Sequence, residues 1–256
     1  VKLTAGIIGI GAGLSLGREG PSIQLGAVTA QGVSRLMGRT RMEERYLLTS
    51  GASAGLAAAF NAPLAGVIFA LEELHRNFSI MVLLPSMAAA FTATIISRAI
   101  FGRATIFDIP YLQLLPISYY GIVILVALAS GLAGVIFNWG LLNIGRFYSL
   151  PCFKRPVQKI AFALICAGIL GYFLPEVLGG GNDLINHLAK APVSLQLLLI
   201  FLAGKLIFTL ISYGCGVPGG FFLPMLVIGA LCGSICAQML IMLGWIEPAY
   251  ATNIMV

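Results

Sequence analysis

Gly17-Arg18-Glu19-Gly20-Pro21-Ser22 decides how the rest of the chain is read. Pro21 suits the first turn of a helix, where its missing N–H breaks no bond, and the glycines let the preceding loop turn tightly. A helix is therefore expected to start here. The first N–H groups of a helix lack intrahelical partners and carry the positive end of its dipole, so this start can hold an anion without a formal cation. Glu19 places a carboxylate at that same position. It either caps the helix or competes with a transported anion, and protonation would neutralise and release it.

The frame Gly-x-x-x-Pro recurs at Gly220-Phe221-Phe222-Leu223-Pro224, after the loop Gly214-Cys215-Gly216-Val217-Pro218-Gly219. Here Phe221 and Phe222 could offer main-chain donors to a second anion cradle, although as side chains they read as ordinary packing. A third break, Asn61-Ala62-Pro63, leads through Leu64 to Leu71 into Glu72-Glu73-Leu74-His75-Arg76. Adjacent helical residues point about 100° apart, so one carboxylate can face inward while the other faces water or Arg76. From the residues alone this reads as a solvated helix end with surface ion pairs. All three breaks look like half-helices that start inside a membrane. Matching interruptions in two halves of a chain point to a transporter site at the repeat interface.

The composition requires the membrane. Of 256 residues 59% are hydrophobic and 9% charged, against about a quarter charged in soluble domains. The runs Ile80 to Ile96, Tyr120 to Phe137, Ile160 to Leu174, Leu195 to Ile211 and Phe221 to Leu243 approach or exceed the roughly 20 residues that span a hydrocarbon core. A charge at that depth is usually functional, which favours the competing role for Glu19. The net charge of +6 is concentrated in Arg35 to Arg45, Arg98 to Arg103 and Arg146 to Lys159, as expected for loops beside membrane helices. It gives no reason to expect nucleic-acid binding, and membrane sidedness stays open. The 31 glycines and 12 prolines would weaken simple helices, so broken, re-entrant helices lining a pathway are expected.

The remaining residues read as structural. Small residues at Gly51-Ala52-Ser53-Ala54-Gly55 and Ala57-Ala58-Ala59 let neighbouring helices approach closely. Cys152, Cys166, Cys215, Cys232 and Cys236 show no paired metal or redox spacing and are expected to be small buried hydrophobes. His75 and His187 are expected at the surface, with no metal spacing. As isolated cations among apolar residues, Lys2 and Lys205 could raise the local positive potential, but lysine near a helix end commonly extends toward the membrane interface, and that is the expectation for both. No nucleophile is paired with a base by motif, so an enzyme is not indicated. No cleavable leader is visible in Val1-Lys2-Leu3-Thr4, and the chain is expected to begin and end inside the fold.

Taken in order, Gly17 to Pro21, Gly51 to Gly66, Glu72-Glu73 and Gly219 to Pro224 resemble the CLC chloride channels and chloride/proton antiporters. The resemblance implies an all-α integral membrane, inverted-repeat fold with tilted, broken and re-entrant helices. It also implies a multi-pass homodimer with one pathway per subunit, in a bacterial plasma membrane. Glu19 matches the gating glutamate. The backbone amides of Arg18, Glu19, Gly20, Phe221 and Phe222 match anion-coordinating groups. Glu73 matches the exchangers' proton-transfer glutamate and is expected in a partly buried pocket, with Glu72 more exposed or ion-paired.

Chloride and protons are the implied cargo, with no cofactor and no metal. Residues 1–256 would form part of the transmembrane domain, without the family's N-terminal and C-terminal helices. The Gly-Ser-Gly-Ile-Pro-type loop and the later tyrosine segment of the pathway are not in this sequence. The choice among chloride, nitrate and fluoride therefore stays open. The leading expectation is antiport. A passive anion channel on the same scaffold, or a non-transporting membrane interaction subunit, are the alternatives.

Overall fold

The computed structural model describes residues 2–76, 78–102, 115–190 and 193–255. Among these, eleven α-helices and short π and 3-10 turns form the regular structure, with no strand beyond one isolated backbone bridge. Each run expected to cross a membrane is a helix: Ile80–Phe101, Tyr120–Phe147, Pro156–Phe173, Leu195–Gly214 and Phe222–Met242. These five are long and apolar enough to span a bilayer. Arg103, part of one expected basic loop, lies outside the described residues.

The fold divides into two compact units, residues 2–4 with 18–102, and residues 5–17 with 115–255. Helix α1 (Lys2–Gly11) contributes its first residues to one and its remainder to the other. In the first unit, α2 (Glu19–Leu36) and α3 (Arg41–Phe60) form a tight pair. A Cβ added at Gly26 would strike the Gly51 carbonyl, one at Gly51 the Gly26 carbonyl, and one at Gly55 the Ser22 carbonyl. These contacts step by four residues along each helix, so small residues bring the two backbones together as expected. Thr40 caps α3: its hydroxyl accepts from Glu43 N–H while the Glu43 carboxylate accepts from Thr40 N–H at 2.9 Å. Glu44 joins the pair by accepting from Gln31 at 2.8 Å and Arg35 at 3.0 Å.

Asn61 ends α3 with φ of 55°, a left-handed conformation that asparagine tolerates. Ala62, with φ of −129° and ψ of 85°, lies outside the helical region that a following proline disfavours and leads into α4 (Pro63–Phe69) with Pro63 in its first turn. After seven residues α4 widens into a π turn, Ala70–His75, closed by Arg76 at φ of 54°. Helix α5 (Ile80–Phe101) is capped by Ser79 and carries Pro85 in its interior. Val67, Leu71, Val82 and Ala90 form the core of this unit with Ala57.

The second unit contains α6 (Tyr120–Phe147), α7 (Pro156–Phe173), α8 (Asn182–Lys190), α9 (Leu195–Gly214), α10 (Phe222–Met242) and α11 (Ala251–Met255). Its main core gathers Leu14, Leu16, Val177, Leu198, Phe208 and Val227, and α10 is the most buried of the five long helices. At 21 continuous residues α10 is full length, which corrects the expectation of a half-helix after Gly216 to Pro224. The proline that suggested a break lies in its first turn, where it breaks no internal hydrogen bond. Cys215 and Cys232 are buried as expected, but Cys152 is exposed because it sits in the 3-10 turn between α6 and α7.

Candidate functional site

Each Gly-x-x-x-Pro frame starts a helix in the same way. Gly17 lies two residues before Glu19, the first residue of α2, and Gly220 two residues before Phe222, the first residue of α10. Both prolines are third in their helices. Arg18 and Phe221 occupy the N-cap positions, and neither caps its helix through its side chain. Ser, Thr, Asn or Asp there would occupy the first amides with an oxygen of its own, as Thr40 and Ser79 do for α3 and α5. A helix start without such a cap suits an anion from outside the helix.

Glu19 is buried, with 4% of its surface exposed, although Arg18 beside it is exposed. The carboxylate thus sits at the positive end of α2, where negative charge is favoured. Within this unit the start of α2 borders a cavity of about 390 Å³ lined by Arg18, Ser22, Ala58, Asn61, Ser97 and Gly102. The Asn61 side-chain oxygen accepts from Arg98 Nε at 2.6 Å, which ties the end of α3 to the last turn of α5.

Within the second unit, Gly17 N–H donates to the Gly220 carbonyl at 2.6 Å, and Gly220 N–H donates back at 2.8 Å. The segment before Gly17 is fastened by polar groups of α9. Ser15 N–H donates to Ser212 Oγ at 3.1 Å, and the Ser15 and Thr209 hydroxyls share a hydrogen bond of 2.8 Å. Phe221 and Phe222 are both partly exposed, and Phe221 packs edge-on against Tyr213 at 5.4 Å between ring centres.

The expected contrast between Glu72 and Glu73 is not found, because both side chains are exposed. The two fall on a π turn, whose i→i+5 winding rotates neighbours through a smaller angle than an α-helix, so both point outward. His187 is exposed as expected, whereas His75 is half-buried and lies 5.6 Å from the Tyr46 ring.

Lys2 is exposed, but Lys205 is not at an interface. It is fully buried midway along α9, and its Nζ donates to the carbonyls of Val177 at 2.9 Å and Gly179 at 2.7 Å. Its central position in a 20-residue helix leaves no nearby end to reach. The signal for it was Lys205, Thr209 and Ser212 at i, i+4 and i+7, a polar stripe on an otherwise apolar helix.

The sequence profile described as voltage gated chloride channel matches residues 1–256. The chain is 37% identical over 243 residues to the H(+)/Cl(-) exchange transporter ClcA of Citrobacter koseri, covering 91% of this chain and 51% of that protein. It is 34% identical over 240 residues to the transporter of the same name from Vibrio cholerae, again covering 91% and 51%. The chain spans about half the length of the curated relatives it matches. Among solved structures it resembles a slow cyanobacterial Cl-/H+ antiporter, with a TM-score of 0.85, 32% identity and coverage of 95% and 58% of the two chains. It also resembles a CLC-type fluoride/proton antiporter, with a TM-score of 0.74, 28% identity and coverage of 94% and 59%.

Proposed function

Since this chain belongs to the voltage gated chloride channel family, we propose that its complete protein exchanges chloride for protons across a membrane, with Glu19 as the gate and Glu73 as the proton relay. The observation that carries the reading is the buried Glu19 carboxylate at the start of α2. Ionised, it occupies the place a dehydrated anion would take. Protonated, it loses its attraction for the helix start and yields to chloride. One side chain thereby links a proton to an anion.

The amides of Arg18, Glu19 and Gly20, and those of Phe221 and Phe222, would hold the chloride in passage. Glu73, exposed within the π turn, would take protons from water. Support for exchange over passive conduction comes from similar proteins named as proton exchangers or antiporters. Residues 1–256 would form part of the transmembrane domain of a bacterial plasma-membrane homodimer. Its role is transport without a cofactor, not catalysis of a reaction.

The test reconstitutes the full-length protein in liposomes and imposes a chloride gradient. Protons moving uphill against the chloride flow support exchange. Chloride flux whose reversal potential ignores an imposed pH gradient would reject it in favour of a passive channel.

A further inference from the structure

Two turns of the chain gather positive charge, and they treat it differently. At the α2–α3 turn, Arg35 is paired with Glu44 at 3.0 Å and Arg39 with Glu43 at 3.6 Å. Around the turn 148–155, between α6 and α7, the charge has no such partners. Arg146, Lys154, Arg155 and Lys159 are the only charged residues from Tyr120 to Pro175, and among the described residues none of them forms an ion pair. Arg146, Lys154 and Arg155 are exposed. Like charges held together without a counter-charge repel, so this cluster suits an anion from outside the chain.

The turn carries these cations on a packed base. Phe147 follows Arg146 and Phe153 precedes Lys154, and their ring centres are 5.4 Å apart, which brings the two basic segments to one place. The rings of Tyr148 and Phe162 complete the cluster, at 5.0 Å and 5.3 Å from that of Phe153. Tyr148 is buried, and its hydroxyl donates to the Ile211 carbonyl of α9 at 2.8 Å. Lys159 reaches back over the same ring, with Nζ 5.8 Å from its centre. Packing thus orders the turn before any ligand arrives, which lowers the cost of binding.

Position selects the ligand. Both helices that the turn joins are long and apolar enough to span a bilayer, so the turn lies at the level of the lipid headgroups. Beside the cations, Phe147, Leu150 and Val157 expose apolar surface. A phospholipid offers phosphate to the first set and acyl carbons to the second. A zwitterionic headgroup also brings an ammonium that these cations repel, whereas an anionic one does not.

We infer that the α6–α7 turn binds the headgroup of an anionic phospholipid through Arg146, Lys154 and Arg155. Arginine meets phosphate oxygens with paired N–H donors, and lysine adds a point charge. The inference does not depend on the exchange reading.

The test is calorimetric titration of the full-length protein in detergent with dioctanoyl phosphatidylglycerol, dioctanoyl phosphatidylcholine or inorganic phosphate. Wild type is compared with the double variant Lys154→Gln with Arg155→Gln, and with Arg39→Gln. All three substituted residues are exposed, so the variants should fold. Wild type should bind phosphatidylglycerol and, at the same concentrations, neither phosphatidylcholine nor phosphate. Loss of two cations should weaken that binding about 25-fold, at roughly fivefold for each charge near an anionic surface. Arg39→Gln should leave it unchanged, because Arg39 belongs to the paired turn. No binding of phosphatidylglycerol by wild type, or equal or tighter binding of phosphatidylcholine or phosphate, overturns the inference. So does wild-type affinity in the double variant, and so does equal weakening in Arg39→Gln, which would mean diffuse attraction to the whole basic surface.

Discussion

Gly17 and Gly220 hold equivalent places in the two Gly-x-x-x-Pro frames and are paired with each other through both of their backbone hydrogen bonds. A short sequence match between distant segments is thus also a physical pairing. Each glycine is followed two residues later by the first residue of a helix whose N-cap side chain does not cap it.

The pairing depends on close approach next to it. A Cβ at Gly219 would lie 2.6 Å from Leu16 Cβ, and Leu16 is fully buried with no room to retreat. Gly219→Val should therefore displace the segment that leads into the bridge. Overpacking of this kind costs about 1–3 kcal/mol. Chloride affinity and thermal stability of the full-length variant should fall together. Unaltered affinity would show that the bridge does not shape the anion site.

Gly51→Leu should be more damaging to folding than to chemistry. Its Cβ would meet the Gly26 carbonyl and the Ala30 methyl group, both on α2, and backbone cannot swing aside as a side chain can. The expected result is loss of monodisperse protein in size-exclusion chromatography. Gly32→Leu is the control, since nothing lies within 4 Å of an added Cβ there, and it should behave as wild type.

Much of this was legible from residue order, and the reasons differ by element. The five long helices followed from apolar length, and the start of α2 from the position of Pro21. That α3 meets a neighbour closely followed from its small residues at 51–59, whereas the partner, α2, did not. Lys205 was misread although it stands inside the Leu195 to Ile211 run, because the polar stripe it forms with Thr209 and Ser212 was not weighed. One feature was not legible. The π turn at 70–75 has no local sequence signal, and it placed Glu72 and Glu73 on the same exposed side against an expectation drawn from α-helical geometry.

The cap of α3 gives a pH-dependent prediction outside the long apolar helices. The Glu43 carboxyl is held below its ordinary value of 4.5, first by the Thr40 backbone N–H and then by the Thr40 hydroxyl. A lowered carboxylate value means that the stabilisation is complete above 4.5 and is lost as pH falls through the lowered value. Glu43→Gln, which cannot gain that proton, should flatten the acid limb of a thermal-stability profile. Thr40→Ala removes the cap at all pH values and should cost about 1 kcal/mol. An acid limb of unchanged steepness in Glu43→Gln would exclude this box from the pH response.

Glu19→Gln should separate the two fluxes. The amide keeps the size of the side chain but cannot alternate between carrying a proton and filling the anion site. Chloride should continue to flow while coupled proton movement disappears. Proton uptake at wild-type stoichiometry, read with a pH electrode under a chloride gradient, would remove Glu19 from the gate.

Glu73 is the sharpest test of exchange, because its geometry alone does not single it out. Glu72 and Glu73 are neighbours on the same π turn and both exposed, so burial gives neither a preferred proton role. The preference for Glu73 over Glu72 comes from the family resemblance, in which Glu73 matches the exchangers' proton-transfer glutamate. If Glu73 passes protons toward Glu19, Glu73→Gln should abolish proton transport and preserve part of the chloride flux, since chloride is not carried on that side chain. Glu72→Gln should retain proton transport, because a solvated carboxylate beside the relay supplies only local negative potential. Both variants should fold as wild type, as exposed substitutions usually change stability by no more than about 0.5 kcal/mol. Paired chloride-electrode and pH-electrode records on the full-length variants decide the matter. Loss of proton transport in Glu72→Gln alone would move the relay by one residue. Coupled transport intact in both variants would mean that protons enter elsewhere, and Glu19 would then have to exchange its proton with water by a route that bypasses this turn.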